Sequence, residues 1–364
     1  MGERVVALDG REFVADRQTG IGRYLGTLVN EVKRRPPGWR LQIVNPRGYA
    51  PPDGVEARTV GGADGRGWDL IELPRYLRAA GVAAYVTPYL KFHPRPPCAV
   101  VAIVCDPTDL LPETGTHGRA SRVLLRLLRR TLAHRAASRI TISPWSRDEI
   151  ARILKLRSAP FAVIPPGITP PPVPARAASA GGYVLHLSNG KPHKNVTGLL
   201  EAYAGLAPAL RAAHPLVIAG LHADRQEPVR RALAARPELT SARALGHVDD
   251  KDLPAFYAGA AVFAFPSLAE GFGIPPLEAM AAGVPVVGST AGALPDTLRD
   301  AAVLVAPRDV EALRAALAAV LTDGALRERL VRRGHERAAE FPASRTGAAL
   351  VAAIDRVLAR EAAA

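Results

Sequence analysis

The sequence predicts an α/β chain of two doubly wound, Rossmann-like domains facing across a cleft, on three observations. Short apolar runs alternate with helix-patterned runs along the whole length. The apolar runs fall into two series. Between the series lies a Pro-rich stretch, Pro165-Pro-Gly-Ile-Thr-Pro-Pro-Pro-Val-Pro, running on to Gly181-Gly182, with the composition of an interdomain linker.

The first series places strands at Val5–Leu8, Leu41–Val44, Ala84–Thr87, Val100–Val104, Arg139–Ile142 and Phe161–Ile164. The second places them at Tyr183–Leu187, Pro215–Ala219, Ala242–Leu245, Val262–Phe265, Pro285–Gly288 and Ala302–Val305. These runs lack clean polar alternation, as strands covered by helices on both faces do. The domain expectation is therefore 1–168, a linker at 169–182, a second domain at 183–345, and a C-terminal helix at 346–364 returning to the first domain. A ligand between such domains belongs at the carboxyl ends of the strands.

Composition narrows the function. The 364 residues are 48% hydrophobic and 22% charged, which describes a globular chain. No apolar run reaches membrane-spanning length. A strand pattern begins at Val5, so no secretory leader is expected. Cys98 and Cys105 do not make a disulfide framework, and a reducing cytoplasm is the expectation. The net charge is +13, and only six of the 47 basic residues are Lys. That excess suits an anionic substrate or lipid. With 5% aromatics and no basic–aromatic interleaving, nucleic acid is not expected as a partner.

Ala264-Phe-Pro-Ser-Leu-Ala-Glu-Gly-Phe-Gly-Ile-Pro-Pro-Leu-Glu-Ala-Met carries the densest chemistry. It reads as strand, glycine loop and helix start, with Gly283 as the stop. A helix opening behind a glycine loop offers N–H groups and a positive dipole end to an anion. Glu270 and Glu278, eight positions apart, suit hydroxyls flanking a bound diphosphate, because a carboxylate accepts two hydroxyl bonds at once. The plainer reading is a dipole-favoured Glu278 beside a solvated Glu270.

Four further segments join it. Ser188-Asn-Gly-Lys191-Pro-His193-Lys194-Asn195 puts two of the six lysines on a turn at a helix start, a diphosphate-binding chemistry or an exposed turn. Thr19-Gly20-Ile-Gly22-Arg23-Tyr24 opens the helix Leu25–Val32. It is either a ligand-covering loop with Arg23 countering phosphate, or a turn needing positive φ. Cys105-Asp106-Pro107 ends an apolar strand; Asp106 orients an acceptor hydroxyl or simply starts a turn. The segment Arg119–Arg139 is a basic amphipathic helix. It suits contact with an anionic membrane, or the commoner arrangement of a solvated Arg face above a buried Leu stripe.

Taken together, Glu270-Gly-Phe-Gly-Ile-Pro-Pro-Leu-Glu278 resembles the Glu-x7-Glu signature of family 4 retaining glycosyltransferases of the GT-B fold. Thr19-Gly-Ile-Gly-Arg-Tyr24 resembles their N-terminal glycine loop, and Ile142-Ser143 with Ser146 their "vSxxS" segment. Pro166-Gly167 is similar to their "PNG" turn, Lys191-Pro-His-Lys-Asn195 to "EPRKN", and Gly246-His-Val248 to their nucleobase loop. The resemblance implies that Glu270 contacts donor-sugar hydroxyls and Glu278 the ribose diol. It implies that Gly271, Phe272, Gly273 and Ile274 touch sugar and phosphate through backbone N–H groups, while Lys194 and a second cation neutralise the leaving diphosphate. No metal, cofactor or covalent nucleophile is implied.

Two positions depart from that pattern. His193 stands where the family has Arg, which leaves Lys191 or Arg23 to supply the second charge. Cys105 stands where the family has a His that reaches the sugar C6 hydroxyl. A donor lacking that hydroxyl is one expectation. The function expected is retaining transfer of a hexose or deoxyhexose, GDP-mannose first, to a hydroxyl of a glycan, lipid-linked or small-molecule acceptor. The alternative is a nucleotide-sugar-binding protein of the same fold without turnover.

Overall fold

The computed structural model describes residues 4–14, 17–46, 54–61, 67–111, 118–156, 161–170 and 182–363. Two compact units emerge. One comprises Met1–Leu110, His117–Gly167 and Ala343–Ala364; the other contains Ile168–Pro342. Most of the expected linker lies outside the described residues.

In the first unit the strands are β1 (Arg4–Asp9), β2 (Phe13–Val14), β3 (Arg17–Gln18), β4 (Trp39–Asn45), β5 (Glu56–Thr59), β6 (Val82–Thr87), β7 (Ala99–Ile103), β8 (Ser138–Thr141) and β9 (Ala162–Val163). Helices α1 (Gly20–Arg34), α2 (Leu73–Ala79), α3 (Arg119–Arg135) and α4 (Pro144–Leu154) connect them. Among the described residues seven strands form a parallel sheet in the order β5-β4-β1-β6-β7-β8-β9. The chain winds outward from β1 in one direction and from β6 in the other. The switch point is therefore the β1/β6 boundary.

Local chemistry explains the helix ends. Thr19 caps α1, its Oγ1 accepting from the Gly22 N–H at 2.8 Å, and Lys33 and Arg34 close the last turn. Ser143 caps α4 by accepting from the Ser146 N–H at 2.9 Å, with Pro144 at the helix start and Lys155 left-handed (φ 53°) at the end. Tyr24, Leu25, Leu28 and Val29 are buried along one stripe of α1.

The second unit holds β10 (Tyr183–Leu187), α5 (Val196–Ala204), α6 (Pro208–Ala213), β11 (Leu216–Ala219), α7 (Ala223–Ala234), β12 (Arg243–Ala244), α8 (Leu253–Gly259), β13 (Ala260–Phe265), α9 (Ile274–Ala281), β14 (Val286–Ser289), α10 (Leu294–Leu298), β15 (Ala302–Val305), α11 (Val310–Thr322) and α12 (Gly324–Ala339). Its parallel sheet runs β12-β11-β10-β13-β14-β15 among the described residues, with the switch point between β10 and β13. Every residue of β13 is buried, as a central strand covered on both faces requires. Leu199, Leu200 and Tyr203 of α5 pack with Leu313, Leu317 and Val320 of α11 over Val262 and Ala264.

Helix α13 (Ala343–Ala363) belongs to the first unit. The Trp39 indole N–H donates to Asp355 at 2.7 Å, Arg4 to the Leu358 carbonyl at 2.8 Å, and Thr346 Oγ1 to the Pro165 carbonyl at 2.8 Å. At Gly347 the helix comes so close to α1 that a Cβ would stand 2.4 Å from the Thr27 carbonyl oxygen.

Both expected series of strands form. The edge strand β5 and the antiparallel β2–β3 pair carry no apolar run, and periodicity does not announce them. The Gly20–Gly22 segment is the first turn of α1, not a loop before it, and neither glycine has positive φ. The basic helix ends at Arg135; Arg139 lies in β8. Gly347→Leu is expected to cost about 1–3 kcal/mol of stability through overpacking at α1/α13. Urea unfolding checks this, and a midpoint equal to wild type would contradict the close approach.

Candidate active site

In the second unit, two loops leave the carboxyl ends of the strands that flank the switch point. The β10 loop carries Lys191, His193 and Lys194, and the β13 loop carries Glu270. The Leu268 N–H donates to the His193 carbonyl at 2.7 Å, which stitches one loop to the other. Asn195 is the clamp. In the left-handed region (φ 55°), it caps α5 by accepting from the Gly198 N–H at 3.3 Å. Its Nδ2 donates to the carbonyls of Pro266 and Pro307 at 3.0 and 2.9 Å.

Between the stitched loops, Lys194 Nζ sits 2.6 Å from Glu270 Oε1, with side chains 15% and 13% exposed. The same ammonium stands 4.8 Å from the centre of the Phe265 ring, a cation–π contact on its second side. A largely desolvated cation is thereby held beside the glycine loop. The Glu270 backbone is fixed from below. Its carbonyl accepts from the Ala293 N–H at 3.0 Å. Gly292 (φ 60°) passes so near that a Cβ there would lie 2.2 Å from the same carbonyl oxygen.

Downstream, Gly271 and Phe272 are buried, and Gly273 (φ 102°) turns the chain into α9. Pro275 and Pro276 lie in the first turn of that helix and bring no N–H donors. Backbone donors for an anion are thus confined to the loop and Ile274. Glu278, half-buried one turn further on, accepts from the Tyr257 hydroxyl at 2.9 Å. Tyr257 is a site residue that sequence reasoning missed; it sits in α8 without any motif around it. Lys191 is exposed at the mouth of its loop, its N–H donating to Asn189 Oδ1 at 3.1 Å. Val248 is half-buried on the loop after β12, which the Gly220 N–H ties down through the Gly246 carbonyl at 2.9 Å.

Beneath the β10 loop lies His186, wholly buried. Its Nδ1 is 2.8 Å from the Ala264 carbonyl, which can only accept, so Nδ1 carries the proton. Nε2 then has no partner among the described residues. Burial, with the Lys194 charge adding to it, lowers this imidazole from 6.5 to about 4.

The first unit presents a second cluster at its own switch point, and of its members only Thr19 falls in a motif singled out in the sequence. Asp9, fully buried at the end of β1, accepts from Arg11 Nη2 at 2.6 Å, the Tyr85 hydroxyl at 2.8 Å and Thr87 Oγ1 at 3.0 Å. Arg11 also reaches Asp69 at 3.0 Å and lies near the Trp68 and Tyr89 rings, at 4.4 and 5.0 Å. Glu12 accepts from the hydroxyls of Tyr89 and Thr19. This is why Gly22 is a glycine: a Cβ there would stand 2.7 Å from the Glu12 carbonyl oxygen. Gly20 has no such neighbour and is exposed. Arg23 is half-buried one residue beyond Gly22.

Asp106 accepts from the Thr108 N–H at 2.9 Å and from its hydroxyl, forming the turn after β7. Burial and the neighbouring Asp106 and Glu12 carboxylates push the Cys105 thiol well above its ordinary value. It therefore stays protonated and is a poor nucleophile. Among the described residues no cluster of His, Cys, Asp and Glu is arranged to hold a metal.

Because His186 is refused its proton in the fold, its contribution to stability is complete above pH 6.5. It declines as pH falls toward about 4. The loss is expected to reach on the order of 3 kcal/mol. Urea unfolding from pH 7 to pH 4 checks this. His186→Asn is expected to flatten the dependence, and an unchanged slope would remove His186 as its source.

Residues 176–337 match the family model described as glycosyl transferases group 1. Among curated relatives, "O-antigen chain mannosyltransferase B" of Escherichia coli is 33% identical over 213 residues, covering 56% of each chain. The "MMP alpha-(1->4)-mannosyltransferase" of Mycolicibacterium hassiacum is 30% identical over 241 residues, 65% of this chain and 58% of the relative. The chain thus spans somewhat more than half the length of these relatives. Among solved structures, sucrose-phosphate synthase from Thermosynechococcus elongatus superposes with a TM-score of 0.79 at 18% identity, over 98% of this chain and 100% of that one. WaaG, a glycosyltransferase involved in lipopolysaccharide biosynthesis, gives 0.67 at 19%, over 92% and 95%. The two doubly wound units are those of the GT-B fold.

Proposed function

We propose that this chain, whose residues 176–337 match the model of the group 1 glycosyl transferases, is a member of that family and a retaining hexosyltransferase. The donor we assign is a nucleoside-diphosphate sugar, GDP-mannose first, in keeping with the mannosyltransferases among its relatives. The acceptor is a hydroxyl of a glycan, a lipid-linked sugar or a small molecule, and the setting is the cytoplasm. The observation that carries the reading is the Lys194–Glu270 pair at the switch point of the second unit.

In this scheme the pair frames a donor site. The diphosphate takes Glu270's place beside Lys194, and Glu270 turns to the hydroxyls of the sugar. Loop N–H groups between Gly271 and Ile274 meet the phosphate oxygens, and Glu278, oriented by Tyr257, takes the ribose diol. The bond from C1 to the phosphate oxygen breaks as the bond from C1 to the acceptor oxygen forms on the same face. The acceptor proton leaves with the phosphate. Lys194 and the loop dipoles stabilise the charge that develops on the leaving group, the largest catalytic term available without a metal. In the first unit, Glu12, Tyr89 and Asp106 are our candidates for binding an acceptor hydroxyl.

The test combines binding with turnover. GDP is expected to raise the melting temperature more than UDP, dTDP or ADP, because a ligand bound only by the folded state stabilises it by mass action. Lys194→Ala and Glu270→Ala are each expected to lower donor hydrolysis by about 10²–10³-fold, in EDTA as in its absence. Variants that hydrolyse donor at the wild-type rate would refute the assignment. GDP-6-deoxyhexose is the second donor to assay, because of Cys105.

A further inference from the structure

Helix α3 is turned inside out relative to an ordinary surface helix. Val123, Leu124, Leu127 and Leu128 recur at i, i+1, i+4 and i+5, which is one face of a 3.6-residue helix. That face looks outward: these side chains are 55%, 69%, 60% and 45% exposed. The opposite face holds buried Ala133 together with half-buried Arg122, Arg126 and Arg129, and Leu132, next to Leu128 on the stripe's edge, is buried near the helix end. Arg129 grips the Asp109 carboxylate with two bonds of 2.9 and 2.6 Å. The expected arrangement of solvated arginines over a buried leucine stripe is overturned. The arginines nearest Asp109 are used inside the unit, and their leucines are left outside.

Burying a leucine is normally favourable, and adjacent exposed apolar side chains usually mark a contact surface. The rim of the stripe defines the occupant. Arg130, His134 and Arg135 are exposed beside it, and no Asp or Glu occurs anywhere from 119 to 135. A fitting partner is apolar beneath and anionic at its edge. A second copy of this chain would set the same arginines against each other, on a molecule already carrying +13. An anionic bilayer meets both requirements: acyl chains receive the leucines while headgroup phosphates meet the guanidinium groups.

We propose that the outward face of α3 lies in the headgroup–acyl boundary of an anionic membrane and holds the first unit on its surface. The attachment is peripheral, since no described helix is long and apolar enough to cross a bilayer. It does not depend on the sugar-transfer reading, because α3 contains none of the residues assigned to donor or acceptor.

The test is flotation of the full chain with vesicles of phosphatidylcholine alone or mixed with phosphatidylglycerol. Wild type is expected to float with the mixed vesicles only, and less at high salt. Leu124→Gln with Leu127→Gln is expected to weaken binding at least about tenfold. Its melting temperature and nucleotide shift should not fall, since both side chains already face water. Arg130→Glu with Arg135→Glu is expected to weaken binding by about fivefold or more for each residue changed.

As a readout in an otherwise intact chain, Leu127→Trp should be quenched by brominated lipid beyond the background of the native tryptophans. Absence of wild-type binding to mixed vesicles, equal binding to neutral ones, or leucine variants that float like wild type would overturn the proposal. So would a concentration-dependent dimer dissolved by the leucine changes, or binding only to an acidic protein. Loss of nucleotide shift alone would fault the transferase reading and leave this one standing.

Discussion

The ion pair between Lys194 and Glu270 governs the second unit's site. Two charges removed this far from water are held only where geometry and neighbouring dipoles compensate the lost hydration. Here the compensation is distributed. Phe265 faces the ammonium, the Leu268–His193 bond fixes the loop spacing, and Asn195 ties the β10 loop to two carbonyls of neighbouring segments. Remove the clamp and the lysine loses its place; remove Gly292 and the glutamate's backbone must move. The charge chemistry of the site is therefore a consequence of backbone geometry at the switch point, where two adjacent strands send their connections to opposite sides and leave a gap for side chains.

The first unit obeys the same topology with different contents. At the β1/β6 boundary, Asp9, Arg11 and Asp69 form a buried charge network sandwiched by aromatic rings. Asp9 is held by Arg11 of its own loop and by Tyr85 and Thr87 of the adjacent strand β6, so its role is to set the β1 loop rigidly. Glu12, the next acidic residue along, is then presented with Tyr89 and Thr19 against its carboxylate. One fold thus supplies two pre-organised polar ends. One holds a cation–carboxylate pair that an anion can split. The other holds a carboxylate already accepting hydroxyl hydrogen bonds.

Much of this was legible because the relevant signals are local. Uniformly apolar runs such as Ala260–Phe265 mark doubly covered parallel strands, and proline with glycine marks α9's ends. Lys194 and Glu270, 76 residues apart, could be paired in thought only through a motif resemblance; their 2.6 Å contact is a product of tertiary structure. What stayed hidden was non-local or carried no pattern. Tyr257 meets Glu278 from another helix, and the Asp9–Arg11–Asp69 network joins segments about sixty residues apart. Gly22 looked like half of a loop motif. Its requirement is steric, set by the Glu12 carbonyl that folds back over α1.

Helix α3 shows the limit of periodicity most clearly. A 3.6-residue repeat identifies two faces but does not say which one the protein buries. The ordinary expectation places leucines inward because burial of apolar area dominates. In α3 the specific pairing of Arg129 with Asp109, and the half-buried positions of Arg122 and Arg126, fix the helix rotation the other way. A partly desolvated guanidinium–carboxylate fork is directional, whereas apolar burial is not. A helix oriented by the directional contact leaves its apolar face for whatever lies outside. An acid-free cationic rim around that face then makes the outside environment part of the structure's energetics.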